Sequence, residues 1–263
     1  MPEYAIVIAG FAVGLIVGLT GVGGGSLMTP ILIFFFGIKP YLAVGTDLLF
    51  AAVTKSGGTI SLARQRLVPW RIVGQLCLGS LPACAVTLAV LHRLGPASPG
   101  VQTVMTSTLG LALLLTALAM FYKAARGRQP QGIGKEVDLA TATRARHWGL
   151  PVLFGAAIGT LVTLTSVGAG AIGVSVLMLL FPLLPLPRIV AADIAYAVPL
   201  TLLAGLGHAS LGSVDWTLLG YLLTGSLPGI WLGTRLMRHT PERVVRSLLS
   251  VLLAYAGLKL MAF

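Results

Sequence analysis

Charge is what this sequence has least of. Asp, Glu, Lys and Arg make up 10% of the 263 residues, and only 7 residues are acidic. Soluble domains carry roughly 25% charge, so a chain this poor in it cannot cover a water-facing globule. Cysteine is nearly absent too. The two present, Cys77 and Cys84, lie in one apolar run with no His or acid beside them. Such a pair makes a poor metal site and says little about redox compartment, and small apolar filler is the better reading. Catalytic signatures are missing: no H-E-x-x-H, no G-x-S-x-G, no G-x-x-x-x-G-K-[ST], and four scattered histidines. These absences speak against an enzyme, a nucleotide-binding protein and any resident metal or cofactor. Apolar content is too high for a disordered chain and there is no G-X-Y period, so disordered and collagen-like chains are excluded as well.

Apolar sequence fills the space. Hydrophobic residues reach 56%, and mean hydropathy is +0.95. Ten apolar segments can be drawn, at 5–20, 24–38, 42–62, 70–92, 100–122, 149–164, 168–184, 189–208, 216–236 and 244–262. A helix spanning a bilayer needs about 20 residues, so the chain reads as an all-α polytopic membrane protein. Segments 1, 2, 6 and 7 are shorter and interrupted by glycine. The run 5–20 lacks a basic n-region and a small-residue cleavage site, so it reads as membrane domain and not as a leader. Only 123–147, rich in polar, Gly and basic residues, reads as a linker. It divides the chain into 1–122 and 148–263.

The two halves repeat. Gly18-Leu-Thr-Gly-Val-Gly-Gly-Gly25 lies over Thr163-Leu-Thr-Ser-Val-Gly-Ala-Gly170, and after one inserted residue Asp47 lies over Asp193, Trp70 over Trp216, and Gly79-Ser-Leu-Pro82 over Gly225-Ser-Leu-Pro228. This is an internal duplication. The basic residues orient it. If each segment crosses once, one side receives Arg64, Arg66, Arg71, Lys123, Arg126, Arg128, Lys135, Arg144, Arg146, Arg188, Arg235, Arg238, Arg243 and Arg246, and the other only Lys39, Arg93 and Lys259. The richer side is expected in the cytoplasm, with both termini outside. That bias, and not a nucleic-acid surface, accounts for the net charge of +11. Five segments per half is an odd number, so the second repeat is inverted, an architecture frequent among secondary transporters. Ten spans, or six spans with re-entrant hairpins at segments 1–2 and 6–7, satisfy the same parity. Trp70, Trp148 and Trp216, each at a segment start, mark the interfacial belt.

Glycine-rich joins occupy matching places in the two halves: Thr20-Gly-Val-Gly-Gly-Gly-Ser26 and Thr165-Ser-Val-Gly-Ala-Gly170. A chain broken there presents a helix start with free N–H groups and a positive dipole end, suited to an anion. Gly23, Gly24 and Gly25, Gly168 and Gly170, with Thr20, Ser26, Thr165 and Ser166, are the candidate binding residues. Close helix packing through small residues is the competing reading. Lys55 is the one cation well inside a segment, where a charge costs about 2.5–3.5 kcal/mol at the bilayer centre. It suits a counter-charge to an anion, an ion pair with Asp47 or Asp193, or a side chain reaching out to the interface. Asp47 and Asp193 read either as N-caps of their segments or as gating or proton-coupling acids. His208, at a segment end, reads as structural and interfacial.

The stretches GLTGVGGGSLMTPIL, AVGTDLLFAAVTKSGG, LVTLTSVGAGAIGVSVLMLLFP and DIAYAVPLTLLAGLGH together resemble the TauE/SafE sulfite exporter family of membrane permeases, over nearly the whole chain and most weakly in 123–147. The resemblance implies a carrier in the bacterial inner membrane for small sulfur-containing anions such as sulfite, sulfoacetate or other organosulfonates, usually moved outward. The family motif carries over onto Gly21 to Ser26, Gly45 to Asp47 and Lys55-Ser56-Gly57, and in the second half onto Thr163 to Gly170 and Asp193. The residues and the resemblance meet on an anion carrier working by alternating access, one repeat rocking against the other. An anion channel, a carrier of another small organic anion, and a membrane sensor remain as alternatives. Matching Gly-rich surfaces suit either a homodimer or contacts within one chain.

Overall fold

A computed structural model describes residues 3–20, 27–125, 149–168, 170–236 and 242–261. Among these residues every element is an α-helix and there is no strand. The helices are α1 (Glu3–Thr20), α2 (Met28–Phe36), α3 (Pro40–Arg64), α4 (Trp70–Leu94), α5 (Pro99–Ala125), α6 (Gly149–Thr165), α7 (Ala171–Leu180), α8 (Leu186–Ser210), α9 (Trp216–Leu236) and α10 (Glu242–Met261). Each apolar segment has become one helix. In hydrocarbon a helix is the only open-ended element that satisfies every backbone group from within itself.

Sequence punctuation sets several of the boundaries. Pro40 opens α3 after Lys39, where its missing N–H costs nothing. Gly37, at φ 63°, ends α2 in the left-handed conformation. Lengths sort the helices into two kinds. The six helices α3, α4, α5, α8, α9 and α10 have 20 to 27 residues. The pairs α1–α2 and α6–α7 have 18 and 9, and 17 and 10. At about 1.5 Å per residue, α2 and α7 reach roughly half way across a bilayer core. By length and composition together, α4, α8 and the Pro99–Ala119 part of α5 are apolar enough to cross a membrane. Large apolar side chains also cover the outside, including Phe35 on α2 and Leu179 on α7, 81% and 80% exposed. A surface of that kind suits lipid and not water.

The drawn segments shift at two informative places. Segments 3 and 8 were drawn from 42 and 189, but α3 and α8 begin at Pro40 and Leu186. Asp47 and Asp193 are each the eighth residue of their helix, so neither is an N-cap. Both are buried acids in a helix interior. Helix α5 runs on to Ala125, past the start of the drawn linker, and the remainder of that linker and Trp148 lie outside the described residues. Trp70 and Trp216 open α4 and α9 as expected and are 61% and 62% exposed.

Helices from the two halves interleave. Helix α1 packs along α9, α6 along α4, α3 crosses α8, and α5 runs with α10. Exchanging the halves maps this list onto itself. The α1–α9 contact is glycine against backbone: a Cβ on Gly14 would stand 2.7 Å from Ser226 Cα, and one on Gly225 would strike Val7 O. The α4–α6 contact repeats the device, with Gly159 against Ser80 and Gly79 against Val152. Small residues at four-residue spacing let apolar helices touch where lipid offers no hydrophobic drive. The GSLP repeats therefore have a packing role. Two hydrophobic clusters result. One gathers buried residues of α4, α6, α7 and α8, the other those of α1, α2, α9 and α10, and α3 and α5 contribute to both.

Candidate functional site: a buried Lys55 between two aspartates at a helix break

Helices α3 and α8 cross in the interior, and each brings its aspartate there. Asp47 is 0% and Asp193 3% exposed. Lys55 lies two helical turns beyond Asp47 on α3, 6% exposed, with both carboxylates within electrostatic reach of its ammonium. The reading of Lys55 as a side chain reaching out of the membrane is thereby set aside. Its counterpart in the duplication, Thr201, donates to Ala197 O at 2.8 Å. The cation belongs to the first half alone.

Asp47 is held from outside its own helix. Thr29, in the first turn of α2, donates to Asp47 Oδ2 at 2.5 Å. Ser166 stands beside the same carboxylate from the second half. It does not bond to it, for Asp47 Oδ1 and Ser166 Oγ are both buried without a hydrogen-bond partner among the described residues. The neighbouring family-motif residues do structural work. Thr46 Oγ1 accepts the Asp215 N–H at 3.1 Å, and Gly45 lies against Ser213 O, where a Cβ would collide.

The second Gly-rich join is a true break. Helix α6 stops at Thr165 and α7 starts at Ala171. Between them the chain turns left-handed at Ser166 (φ 59°), Gly168 (φ 135°) and Gly170 (φ 136°). At such angles a Cβ is strained, so the two glycines suit the turn, and Ser166 is the exception that adds a hydroxyl. Thr165 is occupied by the turn itself: its Oγ1 lies 2.7 Å from Leu161 O and accepts the Val167 N–H at 3.1 Å. Gly173 N–H bonds to Gly168 O at 3.3 Å and Val174 N–H to Gly170 O at 2.9 Å. The first amides of α7 start beyond any intrahelical acceptor. In the first join, Thr20 ends α1, while Gly23, Gly24, Gly25 and Ser26 lie outside the described residues.

The structure adds three residues to those singled out in the sequence. Thr29 is one. Gly173 is another, because a Cβ there would run into Asp193 Oδ1. The third is Tyr196, fully buried one turn beyond Asp193. The three-residue spacing from Asp193 could have pointed to Tyr196, since i and i+3 share a helix face. Thr29 had a fainter signal: it lies over Ser175 in the repeat just as Asp47 lies over Asp193. His208 is structural as expected but not interfacial. It is 0% exposed, and its Nε2 lies 2.9 Å from Thr163 O, tying α8 to α6.

Residues 6–260 match the profile of the family described as "Sulfite exporter TauE/SafE". The chain belongs to this family. It is 34% identical over 256 residues to the probable membrane transporter protein YjnA of Bacillus subtilis, covering 97% of this chain and 98% of that one. It is 26% identical over 256 residues to YdhB of the same organism, covering 97% and 99%, and 26% identical over 236 residues to a probable membrane transporter protein of Xylella fastidiosa, covering 87% and 82%. No solved structure matches the chain. As a TauE/SafE member the protein is a multi-pass membrane transporter and not an enzyme. Asp47, Lys55 and Asp193, with Thr29 and Gly173, make up the polar interior cluster on α2, α3, α7 and α8.

Proposed function

We propose that this TauE/SafE protein is a secondary transporter that exports small sulfur-containing anions, such as sulfite, sulfoacetate or other organosulfonates, across the bacterial inner membrane. The observation that carries the reading is Lys55, buried within electrostatic reach of both Asp193 and Asp47. A sulfur oxyanion spreads one charge over several acceptor oxygens and calls for several donors around it. The amides at the start of α7, the Gly168–Gly170 turn, Ser166 and the Lys55 ammonium supply donors of that kind. Thr165 acts here by shaping the turn. By the duplication in the sequence, Thr20 and Gly23 to Ser26 are proposed to bind the anion from the first half.

Lys55 faces two carboxylates, so an entering anion adds a further negative charge to an interior already richer in acid than in base. Protonation of Asp47 or Asp193 offsets that excess and couples anion movement to a proton. The charge bias of the loops places 123–147 in the cytoplasm and inverts the second repeat relative to the first. Alternating access then needs two bodies that move. Because α1 is seated on α9 and α6 on α4 through glycine, each body contains helices of both halves: α1, α2, α9 and α10 against α4, α6, α7 and α8. This replaces the simpler picture of one half rocking against the other.

Proteoliposomes decide between carrier and channel. With sulfoacetate inside, a carrier coupled to protons responds to an imposed pH gradient at zero membrane potential. A channel follows the potential alone and ignores the pH gradient. Vesicles that release no sulfite, sulfoacetate or taurine faster than protein-free controls would refute the proposed cargo.

A further inference from the structure

Tyr196 is 0% exposed, and its hydroxyl has no hydrogen-bond partner among the described residues. A buried hydroxyl in that state costs free energy unless something else takes its hydrogen. Its surroundings are specific. The Cβ position of Gly173, in the first turn of α7, is 3.5 Å from the Tyr196 oxygen, and the Asp193 carboxylate packs against the same glycine. The Cys77 thiol of α4 lies within electrostatic reach of the phenol, and the Lys55 charge reaches Asp193 from α3. The phenol thus points at a helix start whose dipole favours an anion. A carboxylate of the protein, with two oxygens, already sits at that start.

We propose that the Tyr196 hydroxyl is a substrate-binding donor that lets this site prefer three-oxygen sulfur head groups over carboxylates. It rests on the anion-transport reading above. With Asp193 at the helix start, the carboxylate leaves the phenol unused. A sulfite or sulfonate group displacing it toward Lys55 brings one acceptor more, and Tyr196 is placed to meet it. The duplication supports a role beyond filling space. Tyr196 lies over Phe50, also fully buried at 1% exposure, so an aromatic ring suffices for packing at the matching place and the hydroxyl is an addition of the second half.

The test is ligand-dependent thermal stability of the purified full-length protein, titrated separately with sulfite, sulfoacetate and acetate. Tyr196→Phe keeps the ring. A hydrogen bond to a charged group typically accounts for about tenfold or more in affinity. The expected result is a midpoint for sulfite and sulfoacetate raised at least about tenfold in Tyr196→Phe, with the acetate midpoint unmoved. The sulfite and acetate midpoints of the wild-type protein are the second measurement, with sulfite expected to bind more tightly, which covers the case in which the variant does not fold. An unchanged sulfite midpoint in Tyr196→Phe, or a wild-type protein that binds acetate as tightly as sulfite, overturns the role of Tyr196. A wild-type protein that responds to none of the three anions overturns the transport reading as well, and so separates the two failures.

Discussion

At the residue scale, polarity inside this protein is scarce and unequally distributed. The first half holds Lys55 where the second holds Thr201, and the second holds Tyr196 where the first holds Phe50. The repeated sequence frame thus carries different interior polar groups in its two halves. Lys55→Ala removes the buried cation that interacts with both Asp47 and Asp193. Breaking a buried charge pair on one side typically costs about 3–5 kcal/mol. We expect sulfonate efflux from proteoliposomes to fall to background, with the melting temperature lowered. Normal efflux from a folded Lys55→Ala protein would remove the residue from the scheme. Thr29 gives a gentler probe. Thr29→Val deletes the hydrogen bond to Asp47 Oδ2 and should destabilise by roughly 1.5–3 kcal/mol, while Thr29→Ser retains the bond and should remain near wild type in calorimetry.

At the element scale, glycine has two separate uses that sequence inspection cannot distinguish. Gly168 and Gly170 are needed for their left-handed angles at the break. Gly14, Gly79, Gly159 and Gly225 sit in regular helices and are needed because a neighbouring backbone is too close for a side chain. Gly74 belongs to neither group, with nothing within 4 Å of its Cβ position. The contrast yields a prediction of sign. Gly14→Ala forces α1 off α9 and should lower stability by roughly 1–3 kcal/mol, as overpacking does. Gly74→Ala should be neutral or stabilising by up to about 1 kcal/mol, through helix propensity. Equal melting temperatures for the two variants would contradict the seating of α1 on α9.

At the scale of the whole molecule, interleaving governs what can move. Each core cluster combines helices of both halves, and α3, which carries Asp47 and Lys55, contributes to both clusters and packs on α8, which carries Asp193. Relative movement of the two bodies would therefore act on the Asp47–Lys55–Asp193 group directly. Orientation in the membrane is open to a separate check. In a protein with Cys77 and Cys84 replaced by Ala, Lys135→Cys should react with an impermeant maleimide only from the cytoplasmic side and Tyr4→Cys only from outside. Labelling of both from one side would reverse the topology read from the arginines and lysines.

The sequence by itself determined the class of protein and the ten helices of the described residues, because apolar length and the need to satisfy backbone groups in lipid are local properties. It also determined the duplication, the break after Thr165 and the three interior charges, since each is visible as a residue type in the wrong solvent. Helix starts were less legible: the polar Asp47 and Asp193 looked like caps, whereas Pro40 and the Leu186–Pro187 pair had already opened those helices. Only the tertiary structure decided which helix sits on which. That depends on complementary surfaces far apart in the chain, such as Gly225 against Val7. The same long-range packing, and nothing local, brings Thr29 to Asp47, seats Asp193 against Gly173, and leaves the Tyr196 hydroxyl pointing at the start of α7.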